Sequence, residues 1–536
     1  LLCRTLNLIV FHGVKPEEIF LSTFTEKAAH QLKEGLRGLL DYATNINGQP
    51  YDLSKMYIGT VHSLCRRILN DRRKFLQDFH VSPTPNLMDE LSQYFHVSRT
   101  KTWRKLVSVL NLDEDTDPHL IINSIFGVQK MSKHSAVTNC IAFFNRCSEE
   151  CIDPLEAISM LKASDDEFDT YLQSNSLEKD ALVQAFSLYN AYRESLIQSE
   201  KLRNTDFSLL QQDAYRVLLE GEDTGNVFKH VIIDEYQDTN TIQEKIFFQL
   251  AKGHKHICVV GDDDQALYRF RGATVENFVD FPSRCQKYLK TEPKRISLST
   301  NYRSRKKIVD FYTNFMTHAN WRRNSGDGGF YRFMDKDIHA NKPDDGISIV
   351  ASTPSSPANV CSEIAQLVKD LIDQGKVEDP NQIAFLYPSL KATHVETMRN
   401  ALERLGLRVY APRAGRFLEV DESYDVFGVF ALIFGLPEIQ GGWGGDYGEF
   451  GDWLRQTEIN AKQLLKEDPS LKQFVADKRA EIETACSDFQ ALMRVADREN
   501  WSLTEPYDLR QMKRKLYSAP GLSETGRKLL GSAYLD

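Results

Sequence analysis

Along residues 1–70 the apolar positions alternate between helical and strand spacing. Leu6–His12 reads as the end of a helix, Ile19–Phe24 as a strand, Lys27–Leu40 as a helix and Tyr57–Val61 as a second strand. From about Arg72 to Glu220 the spacing is helical, with long amphipathic stretches such as Ala181–Gln198. The strand signature returns at Phe228–Asp234 and at His256–Gly261. An α/β core interrupted by a helical insertion accounts for this order.

Phe281-Pro282 and Glu292-Pro293 punctuate the chain, and Arg295–Leu298 is expected to open a second α/β unit. Its further strands are predicted at Gly346–Ala351 and Gln382–Tyr387, with helices Asn359–Gln374 and His394–Leu405 between and after them. The glycine run at Gly441-Gly442-Trp443-Gly444-Gly445 marks another shift of composition, and residues 447–536 are charged, helical and without strand signals.

Bulk composition narrows the class. A chain of 536 residues should form several domains. Its 41% hydrophobic and 26% charged content is that of an ordinary soluble globular protein. No apolar stretch approaches the length that spans a bilayer, the N-terminus lacks a signal-peptide layout, and a cytoplasmic protein without a membrane partner is expected. The opening Leu1-Leu2-Cys3-Arg4 does not begin with Met, and the chain is read as cut at its N-terminus. A net charge of −9 argues against non-specific coating of nucleic acid but leaves room for a local basic groove. Nine cysteines without paired spacing point to a reducing compartment. Cys140, Cys147 and Cys151, spaced by seven and four, are expected on one face of a helix as core residues; a metal role would need a fourth ligand, and none is near in sequence.

The chemistry concentrates in two acidic clusters. Asp234-Glu235-Tyr236-Gln237-Asp238 follows Val231-Ile232-Ile233, and Gly261-Asp262-Asp263-Asp264-Gln265 follows Ile257-Cys258-Val259-Val260. Both apolar runs read as short strands buried on both faces, which puts the acids at the C-terminal edge of a sheet, where open α/β sheets bind ligands. Desolvated carboxylates cost free energy unless compensated, and magnesium with a nucleotide phosphate would compensate them. In an Asp-Glu pair of this kind the Asp holds the metal and the Glu orients and deprotonates the attacking water. The second cluster runs into Tyr268-Arg269-Phe270-Arg271-Gly272, where aromatic and cationic side chains alternate as single-stranded nucleic acid requires.

Six ordered segments resemble the motifs of superfamily-one DNA helicases of the UvrD/Rep/PcrA type: Thr23–Ala29, Gly59–Ser63, Thr205–Phe207, Asp234–Asn240, Gly261–Ala273 and Asn301–Ser304. The resemblance implies two RecA-like parallel-sheet domains of the P-loop NTPase type with helical insertions. The first core would comprise residues 1–70 and 205–282 around an insertion at 71–204. The second would comprise 283–440, and 441–536 would begin its own insertion. It further implies an ATP- and Mg2+-dependent 3′→5′ DNA helicase acting on single strands and single-strand/duplex junctions in repair or recombination. Carried over residue by residue, Asp234 would hold Mg2+, Glu235 would be the base, and Gln265 would sense the γ-phosphate. Tyr302 would stack on adenine and Arg303 would reach the γ-phosphate. Phe24, Tyr268 and Phe270 would stack on bases, with Arg271, Thr60 and His62 as further DNA contacts.

The chain also departs from that family. No G-x-x-x-x-G-K-[ST] loop occurs in it, and Gly521–Lys528 is a decoy with a displaced lysine. The chain is read as starting just after that loop, so these residues alone are expected to be inactive as an ATPase. No T-x-H-x-x-K-G segment is found; Glu26 stands where Asn is usual and Pro388 where Arg is usual. Two other readings compete: a non-catalytic nucleic-acid-binding relative, and the helicase part of a helicase–nuclease.

Overall fold

The computed structural model describes residues 1–71, 85–113, 116–129, 132–163, 166–199, 202–323, 328–344, 346–352, 355–390, 393–410, 416–436, 448–501 and 508–532. The chain divides into two compact units, Leu1–Ile349 and Val350–Asp536.

The first unit is a mixed α/β structure. Its strands are β1 (Ile19–Thr23), β2 (Tyr57–Thr60), β3 (Asn86–Leu87), β4 (Ile197–Ser199), β5 (Leu202–Thr205), β6 (His230–Ile233), β7 (Ile257–Val259), β8 (Thr300–Arg305) and β9 (His339–Lys342). A four-stranded parallel sheet runs in the order β2-β1-β6-β7. Parallel sheets need cover on both faces, and alternation along the strands supplies it. Phe20, Val231 and Ile233 enter a core with Val61, Leu64, Ile68 and Leu210, while Ile19, Leu21 and Ile232 enter another with Leu36, Leu40 and Met56. β1 is buried along its whole length. β7, at one edge of the sheet, is only half-buried, contrary to expectation.

The helices of this unit are α1 (Leu2–Val10), α2 (Glu26–Asn47), α3 (Val61–Asn70), α4 (Glu90–Ser98), α5 (Thr100–Ser108), α6 (Pro118–Ile125), α7 (Lys133–Glu149), α8 (Pro154–Lys162), α9 (Asp166–Ser174), α10 (Lys179–Ser195), α11 (Phe207–Glu220), α12 (Thr241–Ala251), α13 (Glu276–Val279), α14 (Phe281–Leu289) and α15 (Lys306–Thr317). α4 to α10 interrupt the sheet between β2 and β6, as the helical spacing predicts. α4, α5, α6, α7 and α10 share a core that includes Val97, Trp103, Leu106, Ile122, Phe144, Tyr189 and Tyr192. Cys140 and Cys147 are buried in α7, but Cys151 lies beyond its end in a left-handed conformation (φ 60°), so the three do not share a helix face. Glu149 ends the helix and breaks the spacing.

Helix starts coincide with the motif residues. Thr25 caps α2 by accepting from the Ala28 amide at 3.1 Å, Thr60 caps α3, and Asp206 caps α11 through the Leu209 amide at 2.8 Å. Asn240 and Gln243 form a reciprocal capping box at the start of α12. The sharp signature of these segments is therefore partly a folding signal, since each cap satisfies an amide that the helix leaves unpaired.

The expected strand Arg295–Leu298 is not formed; the strand begins at Thr300 and pairs in parallel with β9. Gly346–Ala351 and Gln382–Tyr387 also run without a ladder, apart from the short turn Pro380–Gln382. Leu298 and Leu386 are 85% and 92% exposed. Apolar content favours a strand only where a neighbouring backbone supplies hydrogen bonds, and among the described residues none forms a ladder with these runs.

The second unit is helical: α16 (Pro357–Asp373), α17 (Thr393–Arg404), α18 (Asp421–Phe434), α19 (Gly448–Glu467), α20 (Pro469–Arg498), α21 (Leu509–Tyr517) and α22 (Glu524–Ser532). α16 and α17 pack through Cys361, Ala365, Val368, Met398 and Leu402. The glycine run at 441–445 lies outside the described residues. No described helix is long and apolar enough to cross a membrane.

Candidate functional site

β6 ends at Ile233, and the Asp234 amide still donates to Ser22 O of β1 at 2.8 Å. The next residue, Glu235, turns left-handed (φ 52°), a conformation costing a non-glycine residue about 1–3 kcal/mol. The Tyr236 amide, donating to Val260 O at 3.0 Å, fastens the turn to the end of β7. Asp234 and Glu235 are thus placed at the C-terminal edge of the two central strands, as expected. Burial, then the neighbouring Glu235 charge, raises the Asp234 carboxyl above its ordinary range. Asp238 is pushed up to about 6 by burial and by Glu235, and its Oδ1 is buried without a hydrogen-bond partner.

Gln237, 1% exposed, joins the two acidic clusters. Its Nε2 donates to Glu235 Oε2 at 2.8 Å, and its Oε1 accepts from the Asp262 amide at 3.1 Å. A Cβ at position 261 would stand 2.5 Å from Gln237 Oε1 and 3.3 Å from the Tyr236 nitrogen, so glycine is what permits this approach.

The second cluster is compensated from within the chain. Lys336 Nζ lies 2.7, 2.6 and 2.9 Å from carboxylate oxygens of Asp262, Asp263 and Asp264. Arg332 grips Asp264 at 2.6 and 3.1 Å, and the Phe333 amide donates to Asp263 at 2.8 Å. Magnesium and phosphate are therefore not needed to neutralise this triple-Asp run, which corrects the sequence expectation. Burial pulls against ionisation of Asp262, but hydrogen bonds from Lys336 and Gln265 outweigh it and hold the carboxyl below its usual range. The same carboxylate orients Gln265, whose Nε2 donates to Asp262 Oδ2 at 2.9 Å. Among the described residues no lysine or arginine pairs with Asp234 or Glu235 in this way; the positive charge acting on Asp234 is that of the amino terminus at Leu1, which lowers its carboxyl less than burial raises it. Two half-buried carboxylates are hard oxygen donors of the kind that suits a small divalent cation such as magnesium.

Three residues after Gln265 the aromatic segment begins. The Tyr268 ring lies 5.0 Å from Phe24 and 6.2 Å from Phe270. Phe270 is 80% exposed, which core packing does not explain. Gly272 ends the short 3-10 turn Arg269–Arg271 at φ +89°, and the ends of Arg146 and Glu149 from α7 occupy the space a side chain there would need. Arg269 pairs with Glu276 at 3.1 Å; the Arg271 side chain lies outside the described ones.

The segments Thr23–Ala29 and Gly59–Ser63 meet here as well. Thr60, 6% exposed, donates to Glu26 Oε1 at 2.6 Å, so its hydroxyl is already engaged. His62 is partly buried, 3.1 Å from Gln211 Nε2 and edge-on to the Phe207 ring; burial depresses its basicity, while the Glu26 charge opposes this. Tyr302 and Arg303 sit on β8 with exposed side chains, oriented locally by Asn301 Oδ1, which accepts the Arg303 and Ser304 amides at 2.9 and 2.8 Å. Among the described residues neither side chain pairs with Asp234, Glu235 or Gln265.

Sequence reasoning missed Lys336, Arg332 and Gln211. The two cations carry no local signal. Gln211 does: it lies on the buried stripe of α11 with Ala214 and Leu218, where a polar residue needs partners.

The family model of the UvrD/REP helicase N-terminal domain matches residues 1–286. The ATP-dependent DNA helicase SRS2 of Saccharomyces cerevisiae is 30% identical over 331 residues, 59% of this chain and 24% of that protein. A probable DNA helicase II homolog of Mycoplasma capricolum is 26% identical over 378 residues, 69% of this chain and 42% of its own length. The ATP-dependent DNA helicase PcrA of Staphylococcus epidermidis is 26% identical over 329 residues, 60% and 37% respectively. The chain thus spans well under half the length of these relatives.

Proposed function

The chain belongs to the UvrD/REP helicase family, and on that premise we propose that it forms part of an ATP-dependent 3′→5′ DNA helicase or translocase acting on single strands and single-strand/duplex junctions in repair or recombination. Residues 1–70 and 205–282 form the nucleotide-binding RecA-like core around a helical insertion at 71–204. Residues 283–440 belong to a second such core, with 441–536 opening its insertion.

One observation supports this reading above the others. Gln237 joins Glu235 to the Asp262 loop, and that loop carries both Gln265 and the Tyr268–Phe270 face. A change at the nucleotide edge is thereby transmitted over a few bonds to the strand-binding face.

Asp234 would hold magnesium, which supplies charge neutralisation at the phosphates. Glu235, fixed by Gln237, orients and deprotonates the attacking water. Gln265 exchanges its bond to Asp262 for one to the γ-phosphate. Tyr302 stacks on the adenine, and Arg303 contributes positive charge to the transferring phosphoryl group. Phe24, Tyr268 and Phe270 stack on bases irrespective of sequence, with Thr60, His62 and Arg271 on the backbone.

The test is unwinding by the full-length protein, with ATP and magnesium, of duplexes carrying either a 3′ or a 5′ single-stranded tail. The proposal expects unwinding from the 3′ tail and loss of it in Glu235→Gln. Unwinding from the 5′ tail alone, or an unaffected Glu235→Gln, contradicts it.

A further inference from the structure

A buried chain of side-chain amides runs from the start of α12 to His62. The Asn240 amide donates to Gln243 Oε1 at 3.4 Å, Gln243 Nε2 donates to Gln211 Oε1 at 2.9 Å, and Gln211 Nε2 lies 3.1 Å from His62 Nε2 and 3.2 Å from Phe207 O. Gln211 and Gln243 are 1% and 7% exposed.

Two backbone groups fix the polarity of this chain. A backbone N–H can only donate, so Gln243 must turn its oxygen to Asn240 and its NH2 to Gln211. A backbone carbonyl can only accept, so Gln211 must turn its NH2 towards Phe207 and hence towards His62. Flipping either amide would set donor against donor or oxygen against oxygen. His62 Nε2 must therefore accept, which leaves its proton on Nδ1.

We propose that Gln211 is a positioning residue that holds His62 as the neutral Nδ1–H imidazole, so that this ring meets DNA as a hydrogen-bond donor and not as a cation, and that it ties the ring to the helix following the acidic segment. The inference rests on the reading of His62 as a DNA contact. Among the described residues the charged group acting on the ring from a neighbouring element is Glu26 of α2, itself engaged by Thr60; from α11 the ring meets Gln211 and Phe207. Protonation of Nε2 would place its hydrogen against the Gln211 amide and break the chain at the histidine.

The experiment is nitrogen NMR of the histidine-labelled chain, with the His62 signals assigned by their loss in His62→Asn, alongside binding of a labelled single-stranded oligonucleotide as pH is varied. The wild-type ring is expected to show the Nδ1–H pattern near neutral pH and to resist protonation as the pH is lowered. In Gln211→Glu the carboxylate still accepts from Gln243 but cannot donate to His62. The ring then protonates more readily than in the wild type, and affinity becomes several-fold higher on the acidic side. Gln211→Met removes the donor without adding charge, so it mixes the tautomers and gives no pH step. A wild-type Nε2–H or imidazolium pattern near neutral pH overturns the proposal, as does Gln211→Met with unchanged ring signals. The wild-type spectrum needs no variant, so misfolding of either variant leaves that test standing. If His62→Asn binds DNA like the wild type while the ring patterns hold, the DNA reading of His62 fails and the Gln211 link survives.

Discussion

The rings of Phe24 and Tyr268 stand 5.0 Å apart at 32°, although they belong to motifs at opposite ends of the first sheet's sequence. Phe24 follows β1 directly, and Tyr268 follows the loop at the end of β7. The parallel sheet brings both strand ends to one edge, so the aromatic face is a product of topology. With exposed Phe270 beside it, this face presents stacking surface next to the Gln265 loop.

Lys336 is the cation on which the triple-Asp loop depends. Replacing it by Met leaves three carboxylates with Arg332 alone, and breaking a buried ion pair in this way costs about 3–5 kcal/mol. We expect Lys336→Met to lower the denaturant midpoint, with Asp263→Asn in the same chain restoring part of the loss. Equal midpoints for Lys336→Met and wild type would show that the cluster is hydrated and the lysine dispensable.

Asp238 gives a pH signature of opposite sign to an ordinary surface acid. Its carboxyl lies at about 6 in the folded chain against 3.8 for an unperturbed Asp, so between these values the folded state binds more protons than the unfolded state. Its contribution to stability is present below the lower value and is lost as pH rises through the upper one. Asp238→Asn should therefore match the wild type near pH 4 and exceed it above about pH 6, by at most about 3 kcal/mol. Urea titrations at several pH values read this directly; a gap that stays constant with pH would refute the assignment.

The 536 residues contain no G-x-x-x-x-G-K-[ST] string, the loop whose backbone amides and lysine cradle a triphosphate. Purified as it stands, the chain is expected to turn over ATP at background rate with or without DNA. DNA-stimulated phosphate release that disappears in Glu235→Gln would contradict this.

The first sheet was legible because each of its strands is a dense apolar run closed by a cap or an acidic turn, signals that lie within a few residues. Thr25, Thr60, Asp206 and Asn240 served twice, as helix caps and as motif residues. The misreadings have a common cause in pairings that are distant in sequence. Arg295–Leu298, Gly346–Ala351 and Gln382–Tyr387 have strand-like composition, but a ladder depends on a neighbour that periodicity does not reveal. Lys336 looks like any surface lysine until the fold sets it against Asp262, Asp263 and Asp264. Gln211 differs, since its place on an apolar helical stripe already marked it as a buried amide in need of partners.

The most direct measurement is the affinity of the 536-residue chain for a fluorescent single-stranded oligonucleotide, compared with Tyr268→Ala/Phe270→Ala. Stacking is worth about 1–3 kcal/mol per base, so each lost stack should weaken binding by about 5- to 150-fold, with similar losses for unrelated sequences. The account predicts that loss. Equal affinity of the two proteins, or no binding by the wild type, would contradict it.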